Sequence, residues 1–203
     1  MSGRGDKRRA ILDGALAVFA REGYTRAAVD AIAAEAGVST RTIYNHFADK
    51  AALFQAVVEE SSTRVAEAQT AIIDRHLRKV VDLEDDLVEF GLDWAAPMTG
   101  HEAHTALVRR INAEAGHVPP DVIEAWQERG PRRVIRALAD HLRRLADRGL
   151  LEFDDPERAA LQLMLLVGVT NWSYRAAPRT DAEVEATVRA GVRTFLHGNL
   201  RRS

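Results

Sequence analysis

Three observations predict an all-α fold. Apolar residues recur at spacings of three and four along nearly the whole chain, the period of a helix with one buried face. No stretch sustains the two-residue alternation of a half-buried strand. Proline and glycine fall at Gly23, Gly37, Pro97, Gly100, Pro119-Pro120, Gly130-Pro131, Gly149, Pro156 and Pro178, cutting the 203 residues into helix-length pieces. About nine helices, or slightly more, are expected.

In order along the chain, Ile11, Leu12, Ala15, Leu16 and Phe19 form one apolar stripe on a first helix from about Asp6 to Glu22, ended by Gly23 as a left-handed cap. Val29, Ile32, Ala33 and Ala36 lie on a short second helix, and Gly37 supplies the turn after it. Ser39 stands where an N-cap belongs, so a third helix of about two turns begins at Thr40. Asp49 caps a long fourth helix carrying Leu53, Phe54, Val57 and Val58 to about His76. Further helices are expected near 83–96, 101–115, 121–129, 131–148, 156–176 and 181–197, with Pro131 and Pro156 in first turns, where a missing amide hydrogen costs nothing.

Composition narrows the function. With 46% apolar and 29% charged residues the chain can bury a substantial core. No cysteine is present, which removes disulfides and thiolate chemistry and suits a reducing compartment such as the cytoplasm. No secretory leader pattern opens the chain, and the longest apolar run, Ala159 to Val169, contains Gln162 and is too short for a bilayer, so no membrane partner is expected. The net charge is −2, but residues 1–50 carry eight Lys/Arg against six Asp/Glu and the remainder twenty against twenty-four. The front is mildly basic.

A short helix, a glycine-centred turn and a second short helix make the helix-turn-helix pattern, which lays its second helix across the major groove of double-stranded DNA. With Val38, Ile43 and Phe47 turned inward, Thr40, Arg41, Thr42, Tyr44, Asn45 and His46 are left outward. Arg41 suits a bidentate pair with guanine, Thr42 a thymine methyl and Asn45 an adenine edge. Tyr44, His46 and Lys50 suit phosphates, and Arg4, Lys7, Arg8 and Arg9 can add phosphate or minor-groove contacts.

Residues 8–58 resemble the DNA-binding region of the tetracycline-repressor (TetR-like) family of bacterial transcriptional regulators. The resemblance rests on Phe19, Gly23-Tyr24, Ile32-Ala33, Ala36-Gly37-Val38-Ser39, Tyr44, His46-Phe47, Lys50 and Leu53-Phe54, in family order and spacing. It implies that Thr40, Arg41 and Thr42 read bases and that the Tyr, His and Lys positions hold phosphates. It also implies a DNA-binding domain over residues 5–65, with its boundary inside the fourth helix, and a helical ligand-binding and dimerisation domain over 66–203. One departure stands out: Ala27-Ala28 occupy positions where the family usually has Thr or Ser before the second helix, so a capping contribution of about 1 kcal/mol is missing. Thr25, two positions upstream, is the candidate to compensate and to offer a phosphate a hydroxyl, and Ala27→Thr is expected to tighten DNA binding.

A second resemblance, to the C-terminal domain of the AefR-like subgroup, is carried by Arg109 to Ala115, Pro119, Trp126 to Arg133 and Asp155-Pro156. Two stripes have the composition of a homodimer interface: Ala160, Leu161, Met164, Leu165, Gly168 and Trp172 on one helix, and Val184, Val188, Gly191, Val192 and Phe195 on the last. The same stripes also fit an intrachain core. Phe90, Trp94, Met98, His104, Leu107, Val108, Ile111, Trp126, Met164, Asn171 and Trp172 are the candidates for a pocket that takes an amphiphilic or aromatic small-molecule effector. The expected function is a homodimeric repressor on a palindromic operator, released by that effector. No cofactor is expected.

Two other readings compete. His101, Glu102 and His104, with Glu114 and His117 beyond, could begin a metal site in a helical enzyme or metal sensor, although the histidines are three apart rather than the four of HExxH. No nucleophile elbow or Gly-rich phosphate loop accompanies them. A helical adaptor with a vestigial DNA-binding head is the third.

Overall fold

Ten helices build the computed structural model, which describes residues 3–114, 116–168 and 179–199, with side chains from residue 5 onward. They are α1 (Gly3–Arg26), α2 (Val29–Glu35), α3 (Thr40–Tyr44), α4 (Lys50–Leu77), α5 (Leu83–Ala95), α6 (Glu102–Ala113), α7 (Pro120–Arg129), α8 (Pro131–Asp147), α9 (Pro156–Val167) and α10 (Asp181–Asn199). Among the described residues no strand occurs and no helix is long and apolar enough to cross a membrane.

Local chemistry explains most of these boundaries. Ser39 accepts from the Thr42 amide at the start of α3, Asp82 from Asp85 at α5, and Asp155 from both Glu157 and Arg158 at α9. Asp49 accepts from the Ala52 amide at 2.8 Å, opening α4. Pro131 and Pro156 stand at the first positions of α8 and α9. Three boundaries differ from expectation; one is the helix expected over 156–176, which ends at Val167, where Gly168 turns extended (φ −68°, ψ 123°). Gly23 does take positive φ (83°), but the chain resumes a helical turn to Arg26, so the glycine breaks α1 instead of ending it. The third helix starts at Thr40, as the Ser39 cap predicts, but is only five residues long, because the chain leaves it after Tyr44.

The chain divides into two compact units, Met1–Ala66 with Met98–Pro131, and Glu67–Pro97 with Arg132–Ser203. The boundary at Ala66 lies inside α4. Residues 98–131 pack with the first unit, where α6 lies along α1. The core of that unit joins Ile11, Val18 and Phe19 of α1, Ile32, Ile43, Phe47 and Phe54 to Leu107, Ile111, Val118 and Val122. Phe54 sits edge-on to Phe19 at 4.8 Å and beside Tyr24 at 4.7 Å.

In the second unit α10 packs on α5 and α9. A Cβ at Gly191 would stand 2.2 Å from the Leu166 carbonyl oxygen, so this glycine sets how closely α10 crosses α9. Val188, Val192 and Phe195 are consequently buried within the chain. On α8 the apolar face is complete, with Val134, Leu138, Leu142 and Leu145 buried, and its His141 meets Asp74 of α4 at 2.7 Å.

Candidate nucleic-acid interface

The short helix α3 is held on its underside by Ile43 (1% exposed) and Phe47 (7%), with Val38 half-buried beside them. Its upper face carries exposed Arg41, Tyr44 and Asn45 and half-buried Thr40 and Thr42. Arg41 has no ion-pair partner among the described residues, and Tyr44 is 55% exposed. The Thr42 hydroxyl lies 2.9 Å from that of Ser39, so these two side chains first serve the helix start. His46 is half-buried with its ring against Phe47. Lys7 and Arg9 are exposed on α1, while Arg8 lies over the Phe47 ring at 5.5 Å and pairs with Glu60 at 3.6 Å.

Two expected phosphate contacts are otherwise engaged. The Lys50 ammonium donates to the carbonyls of Tyr24, Thr25 and Ala27 at 3.0, 3.3 and 3.2 Å, and sits 4.9 Å from the Tyr24 ring centroid. Its three protons are thus spent on the segment joining α1 to α2. Thr25 gives both its amide and its hydroxyl to one oxygen of Glu114, each at 3.1 Å. The α2 N-cap is Ala28, extended at φ −97° and ψ 140° with no side-chain bond, while Ala27 is 3% exposed within the core. The missing cap therefore belongs to position 28. A hydroxyl at position 27 would be buried.

The pocket candidates are divided between the two units. Met98, His104, Leu107, Val108, Ile111 and Trp126 belong to the first unit, and Leu107, Ile111 and Trp126 to its core or the layer packed on it. Phe90, Trp94 and Met164 belong to the second, where Phe90 is fully buried with its ring 5.8 Å from Trp94. Asn171 and Trp172 lie outside the described residues. A cleft of about 260 Å³ exists elsewhere, lined by Glu152, Asp154, Arg158 and Asn199 among others.

Burial pushes the His104 imidazole down to about 4, helped by the charges of His101 and Arg64, and its Nδ1 lies 3.2 Å from the Ser61 hydroxyl. Glu102 accepts from the Gly100 amide, and Glu114 is committed to Thr25. His101, Glu102, His104, Glu114 and His117 therefore do not gather: no three metal-ligating side chains converge among the described residues.

On the interface stripes, Leu161 is 43% and Leu165 70% exposed, and Gly168 is exposed beyond them. Val184 is half-buried. Val188, Gly191, Val192 and Phe195 face inward, where α10 closes on α9 across Gly191.

A short capped helix seated by an apolar underside after a glycine turn, with a guanidinium that has no ion-pair partner among the described residues and an exposed carboxamide on top, is the geometry of a helix-turn-helix DNA-binding protein. Comparison with known proteins agrees. Residues 11–57 match the model of the bacterial regulatory proteins of the tetR family. Residues 85–198 match the AefR-like transcriptional repressor C-terminal domain. The chain belongs to the TetR family of transcriptional regulators and is a DNA-binding regulator, not an enzyme. It is similar to an HTH-type transcriptional repressor of Mycobacterium tuberculosis, 30% identical over 167 residues and 78% of each chain. A solved structure from Mesorhizobium loti assigned to the TetR family superposes with TM-score 0.83 at 29% identity, covering 99% of this chain and all of that one. The flavonoid-responsive regulator FrrA superposes with TM-score 0.69 at 28% identity, over 98% of this chain and all of its own.

Proposed function

We propose that the chain is a repressor that binds a two-fold operator as a homodimer and is released from it by a small amphiphilic or aromatic effector. The observation that carries the DNA half is the face of α3: Arg41, Tyr44 and Asn45 stand exposed over a buried underside, so a groove can take them without any unfolding. Thr40, Arg41 and Thr42 read bases in this reading, and Tyr44, Asn45 and His46 set the register. Ser39, Thr25 and Lys50 serve the interface indirectly by fixing backbone.

Dimerisation is supported by Leu161 and Leu165, four residues apart on α9 and left open by their own chain. One recognition helix reads too few bases for useful selectivity, and a two-fold pair doubles the site. The effector class is supported by the aromatic candidates Phe90, Trp94 and Trp126, by the neutral His104, and by the similarity to a regulator described as flavonoid-responsive. Repression is supported by the repressors among its relatives, and the cytoplasm is its place of action, where the DNA is.

Enrichment of bound duplexes from a random-sequence library tests this directly. A motif with two inverted half-sites is expected. Arg41→Ala should then lose discrimination at one position of each half-site, by a factor of about ten. A wild-type chain that enriches no duplex over the starting library would overturn the reading.

A further inference from the structure

The break in α1 at Gly23 has two loose ends. In a continuous helix the Arg21 carbonyl would accept from the Thr25 amide, i to i+4. At Gly23 the backbone leaves the helical path (φ 83°, ψ 173°), and α6 meets each half of that bond separately. Arg110 Nη2 donates to the Arg21 carbonyl at 2.9 Å, and Glu114 Oε2 accepts from the Thr25 amide at 3.1 Å. The Thr25 hydroxyl donates to the same oxygen at 3.1 Å. The two side chains are one turn apart at the end of α6, so a single helix face supplies both the cation for the carbonyl end and the anion for the amide end. The other Glu114 oxygen occupies the space a Cβ at Gly23 would need, 1.9 Å from it, so any side chain there would displace the carboxylate.

Immediately beyond this break lies the reading head. The segment after Gly23 runs straight into α2, whose N-cap Ala28 offers no side-chain bond of its own. Lys50 in turn gathers the carbonyls of Tyr24, Thr25 and Ala27. The chain that leads into this uncapped helix start is thus held at its own backbone, by Lys50 on the carbonyls of Tyr24, Thr25 and Ala27 and by Glu114 on the Thr25 amide.

We infer that Arg110 and Glu114 are positioning residues for DNA binding: they clasp the break in α1 and thereby set where α2 and α3 begin. The inference rests on α2 and α3 being the reading head.

Hydrogen exchange on the full chain without DNA, beside affinity for the duplex that the wild type enriches, tests it. Glu114→Ala should speed exchange of the Thr25 amide and of the α2 amides by about tenfold or more, leaving α9 and α10 unchanged. It should also weaken duplex binding by about tenfold, although removal of a negative charge alone would strengthen it. Glu114→Gln, which keeps an acceptor, should remain within about threefold of wild type in both measurements. Should Glu114→Ala fail to fold, Thr25→Ala, which removes only the hydroxyl bond, should show the same local pattern at smaller amplitude. Unchanged exchange at Thr25 and α2, or duplex binding by Glu114→Ala as tight as wild type, overturns the inference. If the wild type enriches no duplex, the DNA reading fails while the exchange result still decides the clasp.

Discussion

Arg41 and Lys50 both carry a full positive charge in the helix-turn-helix region, yet their surroundings give them different work. Arg41 projects without an ion-pair partner among the described residues, while Lys50 is half-buried with three carbonyls around its ammonium. Both are basic residues, and nothing in residue type or spacing distinguishes an ammonium aimed at phosphate from one folded back onto its own chain. Lys50→Met should therefore behave as a packing lesion. It leaves carbonyls short of a charged donor, so the melting temperature falls, with a stability loss of about 1–3 kcal/mol in denaturant titration. Arg41→Ala should leave stability within about 0.5 kcal/mol. Ala28 makes the complementary case. It is exposed and extended, at the one position where a hydroxyl reaches the α2 amides. Ala28→Ser should add about 1 kcal/mol of stability, read by thermal or denaturant melts, whereas Ala27→Thr should destabilise by burying an unpaired hydroxyl.

At the scale of elements, helix identities were legible because the amphipathic period runs along each of them and capping residues or prolines mark several of the starts. Asp49, Asp82, Asp155, Pro131 and Pro156 all act where their chemistry favours them. The partner of each helix was not legible. Val188, Val192 and Phe195 make the same stripe whether they face a second copy or their own α5 and α9, and Gly191 decides for the latter by letting α10 approach the Leu166 carbonyl. Leu107 and Ile111 likewise suit a ligand pocket or a core. Their burial beside α1 makes them core. The pairing of α6 with α4 has a pH signature through His104. Its folded value of about 4 lies below the ordinary 6.5, so between these the unfolded chain binds a proton that the folded chain refuses. Stability should be level above pH 6.5 and decline as pH falls toward 4, by about 3 kcal/mol in all. Denaturation midpoints at a series of pH values should show this fall, and His104→Gln, which keeps a hydrogen-bonding group beside Ser61 but does not titrate, should flatten it.

For the whole molecule, the homodimer proposed above would double the DNA site and so govern its selectivity. Leu161 and Leu165 remain open on α9, whereas the stripe of α10 is turned into its own chain. Leu161→Glu with Leu165→Glu should shift the chain from dimer to monomer in sedimentation velocity, with no loss of helical circular dichroism, because neither side chain is buried in its own chain. Duplex affinity should fall with dimer dissociation. A double variant that sediments like the wild type would place the subunit contact elsewhere.

The sequence by itself determined an all-helical chain, the helix-turn-helix with its Gly37 turn and Ser39 cap, and the family to which it belongs, because these depend on residues near one another along the chain. Only the tertiary structure decided which charges are free and which are spent, that residues 98–131 pack with the DNA-binding unit, and that the break at Gly23 is closed by Arg110 and Glu114. The closure joins residues 89 positions apart. Periodicity and capping act within a few turns and carry no information about which distant side chain will complete a broken hydrogen bond.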